Sequence, residues 1–355
     1  MQRISFNNKN SEFFKSLTAK VDVYFKSNNI KETGNYKLYL KTAFLTVSAV
    51  TLYTILVFFT PPSWVALILC CLMGFNLAGI GFNVMHDGAH GSFSTRTWVN
   101  ELMGYSLNIM GGNVLLWKYK HNVNHHSFTN IEGMDDDIDI KPWIRVHQDQ
   151  KKHWYHRFQH IYWVILYGVT YLLWVFVQDF KKYFTGKVGD LPFRKMNFKE
   201  HLIFWVSKLL YLGVFLVFPI FQVGLADTLI GYSVIAFVTG IVIAVVFQLA
   251  HIVEDAAFET PTSAHHKVES EWAVHQVQTT ANFATKSKIV SWFTGGLNYQ
   301  VEHHLFPRIS HIHYPKINQF VQETCAQFGI QYLEFPTVLS AVRSHVIHLK
   351  HVGRV

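Results

Sequence analysis

The sequence predicts an all-α integral membrane protein with four transmembrane helices, interfacial amphipathic helices and a cytoplasmic helical cap rich in histidine. Three observations predict this fold class. Half of the 355 residues are apolar and only 15% are charged. The apolar residues are concentrated in runs of about 20, the length that crosses a hydrocarbon core of roughly 30 Å. Clusters of histidine lie at the edges of these runs.

Four runs are predicted to be the transmembrane helices. Only one charged residue, Lys208, falls within any of them. Apolar stretches of this length with almost no charge are typical of membrane-spanning helices. The four runs are 42–60, 64–85, 202–223 and 229–250.

A fifth run, 161–178, is uncharged but shorter, and it is rich in Tyr and Trp. Such side chains prefer the headgroup level of a membrane. If all three runs between the second and third histidine clusters crossed the membrane, those clusters would lie on opposite sides. We therefore predict that 161–178 lies in the interface.

The charges of the loops predict the orientation. We expect one membrane domain, 42–310, between cytoplasmic segments 1–41 and 311–355. Lys and Arg are concentrated in 1–41 and 181–199. Because positive residues stay on the cytoplasmic side, the histidine clusters should lie on the cytoplasmic face of a multi-pass protein. The net charge of +8 indicates contact with anionic headgroups, and no nucleic-acid-binding motif is present.

The first two histidine clusters have the spacing of metal ligands. His86 and His90 are four residues apart, as are His121 and His125. Residues four apart share one face of an α-helix, so each pair can bind one metal ion. On an α-helix His126 would lie about 100° further round and reach a neighbouring ion.

The third cluster contains Gln300, His303 and His304, and His251 follows the last apolar run. Imidazole suits iron, zinc and copper, and this many donors exceed what one ion holds. The sequence therefore predicts two metal ions. Taken alone, His251 is more often a capping or surface residue than a ligand.

Other features are given simpler interpretations or exclude functions. The acidic run Asp135–Asp137, with Asp139, is interpreted as a solvated turn, and the less favoured alternative is that it orients the nearby histidines of the second cluster. Neither His-Glu-x-x-His nor Glu-x-x-His occurs, which disfavours zinc peptidases and ferritin-like di-iron bundles. No phosphate-binding glycine motif occurs, and the three cysteines provide no disulfide framework.

With these residues the chain resembles the membrane fatty acid desaturases, in particular their front-end, Δ6-type branch. The similarity covers nearly the whole chain and rests on the motifs at 86–90, 121–126 and 298–307. Gln300, where other branches have histidine, is typical of front-end members. The stretches 249–254 and 276–283 also resemble this branch.

The resemblance implies a non-haem di-iron centre that uses O₂ and two electrons to introduce a cis double bond toward the carboxyl end of an acyl chain. The chain would be carried on coenzyme A or on a lipid. Gln300 would be a weak ligand or a group just outside the ligands, and Asn282 would lie just outside them. The implied ligands of the two Fe are His86, His90, His121, His125, His126, His251, His303 and His304.

The resemblance also implies partners. Many front-end relatives carry a fused cytochrome b5-like domain marked by His-Pro-Gly-Gly, a motif that this sequence lacks. A separate electron donor, such as ferredoxin or cytochrome b5, is therefore expected. The acyl chain is expected in an apolar tunnel between the spanning helices, with Trp117 and Trp292 as candidate lining residues.

Two alternatives stay open on the sequence. A hydroxylase or other oxygenase of the same superfamily would use the same ligands, and its product would gain oxygen instead of losing two hydrogens. A non-catalytic membrane metal or haem protein belongs to another class. A haem carrier would place paired histidines mid-span, whereas these histidines lie at and beyond helix ends.

Overall fold

The computed structural model describes residues 5–8, 11–138, 140–189, 191–258, 267–268 and 270–355. The described chain is mostly helical, which confirms the predicted all-α membrane fold. Its α-helices, some of which continue through 3₁₀ or π turns, are α1 (Glu12–Ser27), α2 (Tyr36–Phe59), α3 (Ser63–His90), α4 (Thr97–Gly104), α5 (Ser106–Ile109), α6 (Val114–Lys118), α7 (Trp154–Thr185), α8 (Phe198–Val223), α9 (Leu225–His251), α10 (Trp272–Gln278), α11 (Lys288–Phe293), α12 (Gln300–Leu305), α13 (Tyr314–Phe328) and α14 (Val338–Val352).

Short strands form three two-stranded pairs among the described residues. The parallel pairs are β1 (Ser5–Phe6) with β4 (Lys267–Val268) and β5 (Asn282–Phe283) with β6 (Glu334–Phe335), and the antiparallel pair is β2 (Lys187–Val188) with β3 (Leu191–Pro192). Each strand has only two residues, so these pairs pin loops and do not form a sheet layer.

Five described helices, α2, α3, α7, α8 and α9, are long and apolar enough to cross a membrane. Three of them contain the predicted spans 64–85, 202–223 and 229–250, and α2 contains the span 42–60 except for Thr60, which follows the helix end. The fifth, α7, contains the run 161–178, which we expected in the interface. Length and composition suit α7 to either placement, so its interfacial position and the three-segment division of the chain stay predictions.

The described chain forms two compact units. We call one the histidine unit, which comprises Met1–Gly34, Lys120–Trp163 and Val246–Val355. The other, the apolar unit, comprises Asn35–Tyr119 and Val164–Val245.

Glycine allows the helices of the apolar unit to pack closely. A Cβ on Gly74 of α3 would lie 2.7 Å from the Val238 side chain of α9, and one on Gly240 would lie 2.5 Å from the Gly168 carbonyl oxygen of α7. Real Cβ atoms essentially never approach other atoms this closely. These positions therefore require glycine for α3 and α7 to contact α9.

Buried polar groups of the apolar unit bind one another. The Lys208 ammonium donates to the Asp179 carboxylate (2.9 Å) and to the main-chain oxygens of Gly111 (2.6 Å) and Val175 (2.8 Å). The indole N–H of Trp174 donates to the other oxygen of Asp179 (3.1 Å). The single charge in the predicted span 202–223 is therefore neutralised within the protein, as expected for a charge at membrane depth.

The histidine unit has its own apolar core. Phe13, Leu17, Val21 and Phe25 recur every four residues along α1, so they form one apolar face. This face packs on α13, and the same buried cluster includes Val301 and Leu305 of α12. The core thereby supports the helix that carries the third histidine cluster.

Candidate metal centre

His86 and His90 lie on the last turns of α3. The helix widens into a π turn at Gly81–Met85, returns to α geometry and ends at Gly91, whose φ is +77°. The two imidazole rings are 4.6 Å apart between centroids, which confirms the predicted shared face. Gly88 lies between them because a Cβ there would be 2.7 Å from the Gly104 nitrogen of α4.

Trp117 packs against this first pair. Its ring meets His86 at 5.7 Å and His90 at 5.8 Å between centroids, both in edge-on geometry. Trp117 is buried, and it belongs to an apolar cluster with Met85, Ala89 and Leu107. Its role as a tunnel residue stays a prediction, and its observed contact is to the histidine pair.

The second cluster differs from the α-helix that its spacing predicted. Residues Tyr119–His125 form a π-helix, and the His126 N–H donates to the His121 carbonyl five residues earlier (3.1 Å). The α-helical geometry expected for this cluster is therefore wrong: His126, which was expected about 100° beyond His125, lies one π turn after His121. The wider turn brings their Nε2 atoms to 3.3 Å. Such π turns are frequent at functional sites.

The third cluster lies on the short helix α12, which begins at Gln300. The Asn282 side chain accepts from the Val301 N–H (2.9 Å) and donates to the Glu302 carboxylate (2.6 Å). Asn318 donates to the other oxygen of Glu302 (3.1 Å). Asn282 therefore fixes the first turn of the helix that presents His303 and His304.

Three buried imidazoles of the histidine unit converge. His125 lies in the π-helix, His251 is the last residue of α9, and His304 lies on α12. One ring nitrogen from each lies within 4.8 Å of the other two, and all three residues are fully buried. Among the described residues, their Nε2 atoms have no hydrogen-bond partner.

The opposite ring nitrogen of each imidazole is bound to an acceptor. Nδ1 of His125 meets the Asp135 carboxylate (2.8 Å), that of His304 meets Gln276 Oε1 (2.8 Å), and that of His251 meets the Thr279 carbonyl (3.3 Å). An acceptor at Nδ1 places the ring proton there, so the lone pair lies on Nε2. Metal-binding histidines are held in this way.

The three Nε2 atoms fit a metal ion. A point equidistant from three nitrogens that are 4.8 Å apart lies about 2.8 Å from each, and a metal–imidazole bond is about 2.1 Å long. Shifts of at most about 0.7 Å per side chain therefore bring all three onto one ion. Imidazole donors suit iron, copper and zinc. Buried acceptor nitrogens without a protein partner are costly, and a metal removes that cost.

The electrostatics keep His304 neutral. Burial and the neighbouring imidazoles hold the pKa of His304 well below its usual range. Burial alone would lower the pKa of His125, but the Asp135 carboxylate reverses this and raises it. Burial opposes ionisation of Asp137, yet Lys120 and His121 hold the pKa of this carboxyl well below its usual value.

Further donors lie beside this group in the histidine unit. His121 and His303 stack at 5.9 Å between ring centroids, and His126 and His303 meet at 4.6 Å. Nδ1 of His121 binds Asp137 (2.8 Å), and Nδ1 of His303 meets the Tyr314 hydroxyl (3.1 Å). The six predicted ligands of this unit are thus brought together.

Gln300 is buried in the same helix, one α-helical turn before His303 and His304. Neither its amide nitrogen nor its amide oxygen has a hydrogen-bond partner among the described residues. Its position supports the predicted role as a weak ligand or a neighbour of the ligands, which stays a prediction.

The acceptors that orient the imidazoles were missed or misread in the sequence. The favoured interpretation of Asp135 and Asp137 as a solvated turn was wrong, and the less favoured alternative describes them, because both bind histidines in a buried site. Asp139 lies outside the described residues. Gln276 lies on α10 and reaches His304 only in the folded chain. No spacing in the sequence connects it to the third cluster. The available signal was the proximity of the acidic run to the second cluster.

The comparisons with known proteins agree with this geometry. A family model described as fatty acid desaturase matches residues 62–336. An acyl-lipid (8-3)-desaturase of Physcomitrium patens is 39% identical over 97% of this chain and 72% of its own length. Two sn-1 linoleoyl-lipid 6-desaturases, from Arthrospira platensis and Synechocystis sp., are 37% and 34% identical over 96% and 99% of this chain and 92% and 98% of their own lengths.

Proposed function

The chain belongs to the fatty acid desaturase family, and from this premise we propose that it introduces a cis double bond into an acyl chain at a non-haem di-iron centre, using O₂ and two electrons. The convergence of one ring nitrogen from each of His125, His251 and His304, whose Nε2 atoms have no hydrogen-bond partner among the described residues, carries this proposal. The membrane-capable helices support a multi-pass enzyme, whose substrate is itself a membrane lipid.

The proposed ligands are the eight histidines that the family resemblance implies. His125, His251 and His304 would hold one iron, and His121, His126 and His303 are donors beside them. His86 and His90 are proposed to complete the set because the family implies it and because they are themselves paired. Bound iron supplies the activation of O₂ that unactivated C–H bonds require, and the protein supplies position and exclusion of water.

The residues of the chain prepare the centre in three ways. Complete burial of His125, His251 and His304 excludes water from the donors. Asp135, Gln276 and the Thr279 carbonyl accept hydrogen bonds from Nδ1 and keep the ring protons there. The lone pair on Nε2 is therefore the one available to bind metal. The low pKa of His304 keeps its ring unprotonated at neutral pH.

We propose an acyl-lipid substrate with an existing double bond, and a new bond on its carboxyl side. Two of the similar proteins are named for linoleoyl lipid and one for acyl lipid. Gln300 in place of histidine supports the front-end branch. Linoleoyl lipid is therefore the first substrate to test.

A cavity in the apolar unit suits the methyl end of the acyl chain. Its volume is about 530 Å³, and its walls are mostly apolar side chains of α2, α3, α8 and α9, including Met73, Leu77, Phe215 and Ala236. Along α3, Leu77 precedes His86 by nine residues, which corresponds to about 14 Å. An extended acyl chain bridges such a distance.

The electron donor is proposed to be a separate protein, ferredoxin or cytochrome b5, that approaches a cytoplasmic active site. The lysine-rich segments 1–41 and 181–199 support both the orientation and electrostatic attraction of an acidic donor. Donor-dependent turnover should therefore fall as ionic strength rises. Turnover that is insensitive to salt would contradict electrostatic docking.

Expression in a host fed linoleate, followed by fatty acid profiling, tests the proposed reaction. The wild-type chain should yield a product with two fewer hydrogens, its double bond on the carboxyl side of the existing ones. His125→Ala should yield none. His345→Ala is the matched control, because His345 is equally buried but binds the Ile252 carbonyl outside the cluster (2.6 Å). A product that gains oxygen would instead identify a hydroxylase.

A further inference from the structure

A stripe of exposed apolar side chains runs along the start of α7. Trp154 and Phe158 lie on the 3₁₀ turn that begins α7, Ile161 lies on the α-helical turn that follows, and all three side chains line one cleft. They are 74%, 42% and 65% exposed, although α7 is one of the membrane-capable helices. Exposed aromatic residues at the end of such a helix are typical of the membrane interface.

Basic side chains border this stripe. Arg157 lies on the next face of α7, with its guanidinium 4.7 Å from the centre of the Phe158 ring. Arg354 follows the end of α14, and the Lys152 ammonium donates to the main-chain oxygens of Arg354 and Val355. Lys350 and Arg354 both lie near the His160 ring. The C-terminal turn is thereby tied beside the first turn of α7.

Together these residues line one cleft within the histidine unit. The cleft has a volume of about 570 Å³ and is lined by Lys152, Trp154, Arg157, Phe158, His160, Ile161 and Arg354. No acidic side chain is among these described lining residues. No described carboxylate forms an ion pair with Arg157, Lys350 or Arg354. The cleft thus has an apolar wall and a cationic rim.

We propose that this cleft binds an anionic phospholipid, with the headgroup phosphate on Arg157 and Arg354 and an acyl chain along Trp154, Phe158 and Ile161. Arginine binds phosphate through paired N–H donors. Basic side chains at a membrane surface attract anionic lipids, and the adjacent apolar stripe accommodates the tail. The site is separate from the histidine cluster, and its occupant is a lipid that need not be the substrate.

Lipid titration of the purified full-length chain tests this site. Thermal unfolding in neutral detergent is followed while dioleoyl phosphatidylglycerol is added. Dioleoyl phosphatidylcholine and inorganic phosphate form two parallel arms. We expect stabilisation by phosphatidylglycerol alone, because only this lipid carries both a net negative charge and acyl chains.

The decisive variant is Arg157→Gln with Arg354→Gln. Its half-saturating phosphatidylglycerol concentration should rise at least about tenfold, from the loss of two basic contacts. The control, Lys195→Gln with Lys199→Gln, removes the same charge from exposed positions elsewhere and should titrate like the wild-type chain. Trp154→Ala should also weaken lipid binding while leaving the charge unchanged.

Three results would overturn the proposal. Equal titration of the arginine variant and the lysine control would show that no specific site exists. Equal stabilisation by inorganic phosphate would show that the acyl chain is not recognised. Unchanged lipid binding in the arginine variant, with weakened binding of an acidic ferredoxin, would assign the surface to a protein partner instead.

Discussion

The two units bury polar groups in opposite ways. In the apolar unit, the Lys208 ammonium donates to the Asp179 carboxylate and to nearby main-chain oxygens, and the hydroxyls of Tyr171, Tyr211 and Tyr232 form a chain with separations of 3.1 and 2.8 Å. In the histidine unit, each imidazole of the converging group is bound on one side only. Its other nitrogen faces the equivalent nitrogens of its neighbours.

This difference distinguishes buried polar groups that stabilise the fold from buried polar groups that are available to bind a ligand. A buried polar group that finds its partners within the protein contributes to the uniqueness of the fold. A buried nitrogen that the protein leaves without a partner costs stability, and that cost is retained where a ligand removes it. The four predictions below test this distinction, from the largest expected effect to the smallest.

Removal of a converging imidazole should abolish activity with little effect on folding. His304→Ala deletes one donor and leaves the two others short of a ligand. We expect no detectable desaturated product, because the metal site is incomplete. Fatty acid profiling measures the product, and membrane insertion with monodisperse gel filtration shows that the chain folds. Turnover above one tenth of the wild-type rate would remove His304 from the ligands.

Removal of a satisfied charge should have the reverse effect. Lys208→Met leaves the Asp179 carboxylate buried without its cation, which costs roughly 3–5 kcal/mol of stability. Activity per folded molecule should be unchanged. Replacing both partners, Lys208→Met with Asp179→Leu, should restore most of the stability, since no buried charge remains. Thermal unfolding compares the three chains, and equal stability of the single and double variants would contradict the assignment.

Removal of an orienting acceptor should fall between these extremes. Gln276→Leu leaves the Nδ1 proton of His304 without its amide acceptor and frees the ring to turn. Loss of such an acceptor typically costs 10–100-fold in metal affinity or activity. Iron titration of the apoprotein measures the change. Gln276→Glu retains an acceptor and should recover most of the affinity, whereas a purely steric role of Gln276 would leave the similarly sized leucine variant with full affinity.

The smallest effect concerns a buried histidine outside the converging group. Burial lowers the pKa of His345 to about 4. The unfolded chain binds this proton near pH 6.5, so the stabilisation is complete above that pH and is lost as pH falls toward 4, by about 3 kcal/mol in total. His345→Leu should flatten the unfolding temperature against pH between 6.5 and 4. An unchanged slope would show that His345 does not contribute.

The sequence predicted the parts of this molecule that depend on local spacing. The four runs predicted to cross the membrane fall almost entirely within helices that are long and apolar enough to do so, because the length of an apolar run is visible in the sequence itself. The six predicted ligands of the histidine unit also lie close together in the structure, and their role as ligands stays a prediction.

What the sequence did not predict depends on contacts between distant segments. The π turn at Tyr119–His125 changes which histidines are neighbours. No residue preference in the sequence predicts that a main-chain N–H will donate to the carbonyl five residues earlier. Asp135 and Gln276 reach the imidazoles only after the loops fold around α12. Charge runs are usually solvated, so the general expectation for Asp135–Asp137 was wrong in this protein.

Metal analysis of the purified chain tests the central claim most directly. Elemental mass spectrometry of wild-type protein expressed with iron should find about two irons per chain, and His304→Ala should lose at least one of them while remaining folded. Wild-type protein that holds zinc or haem instead of iron, or a His304→Ala chain that retains its full iron content, would contradict a di-iron centre built on these imidazoles.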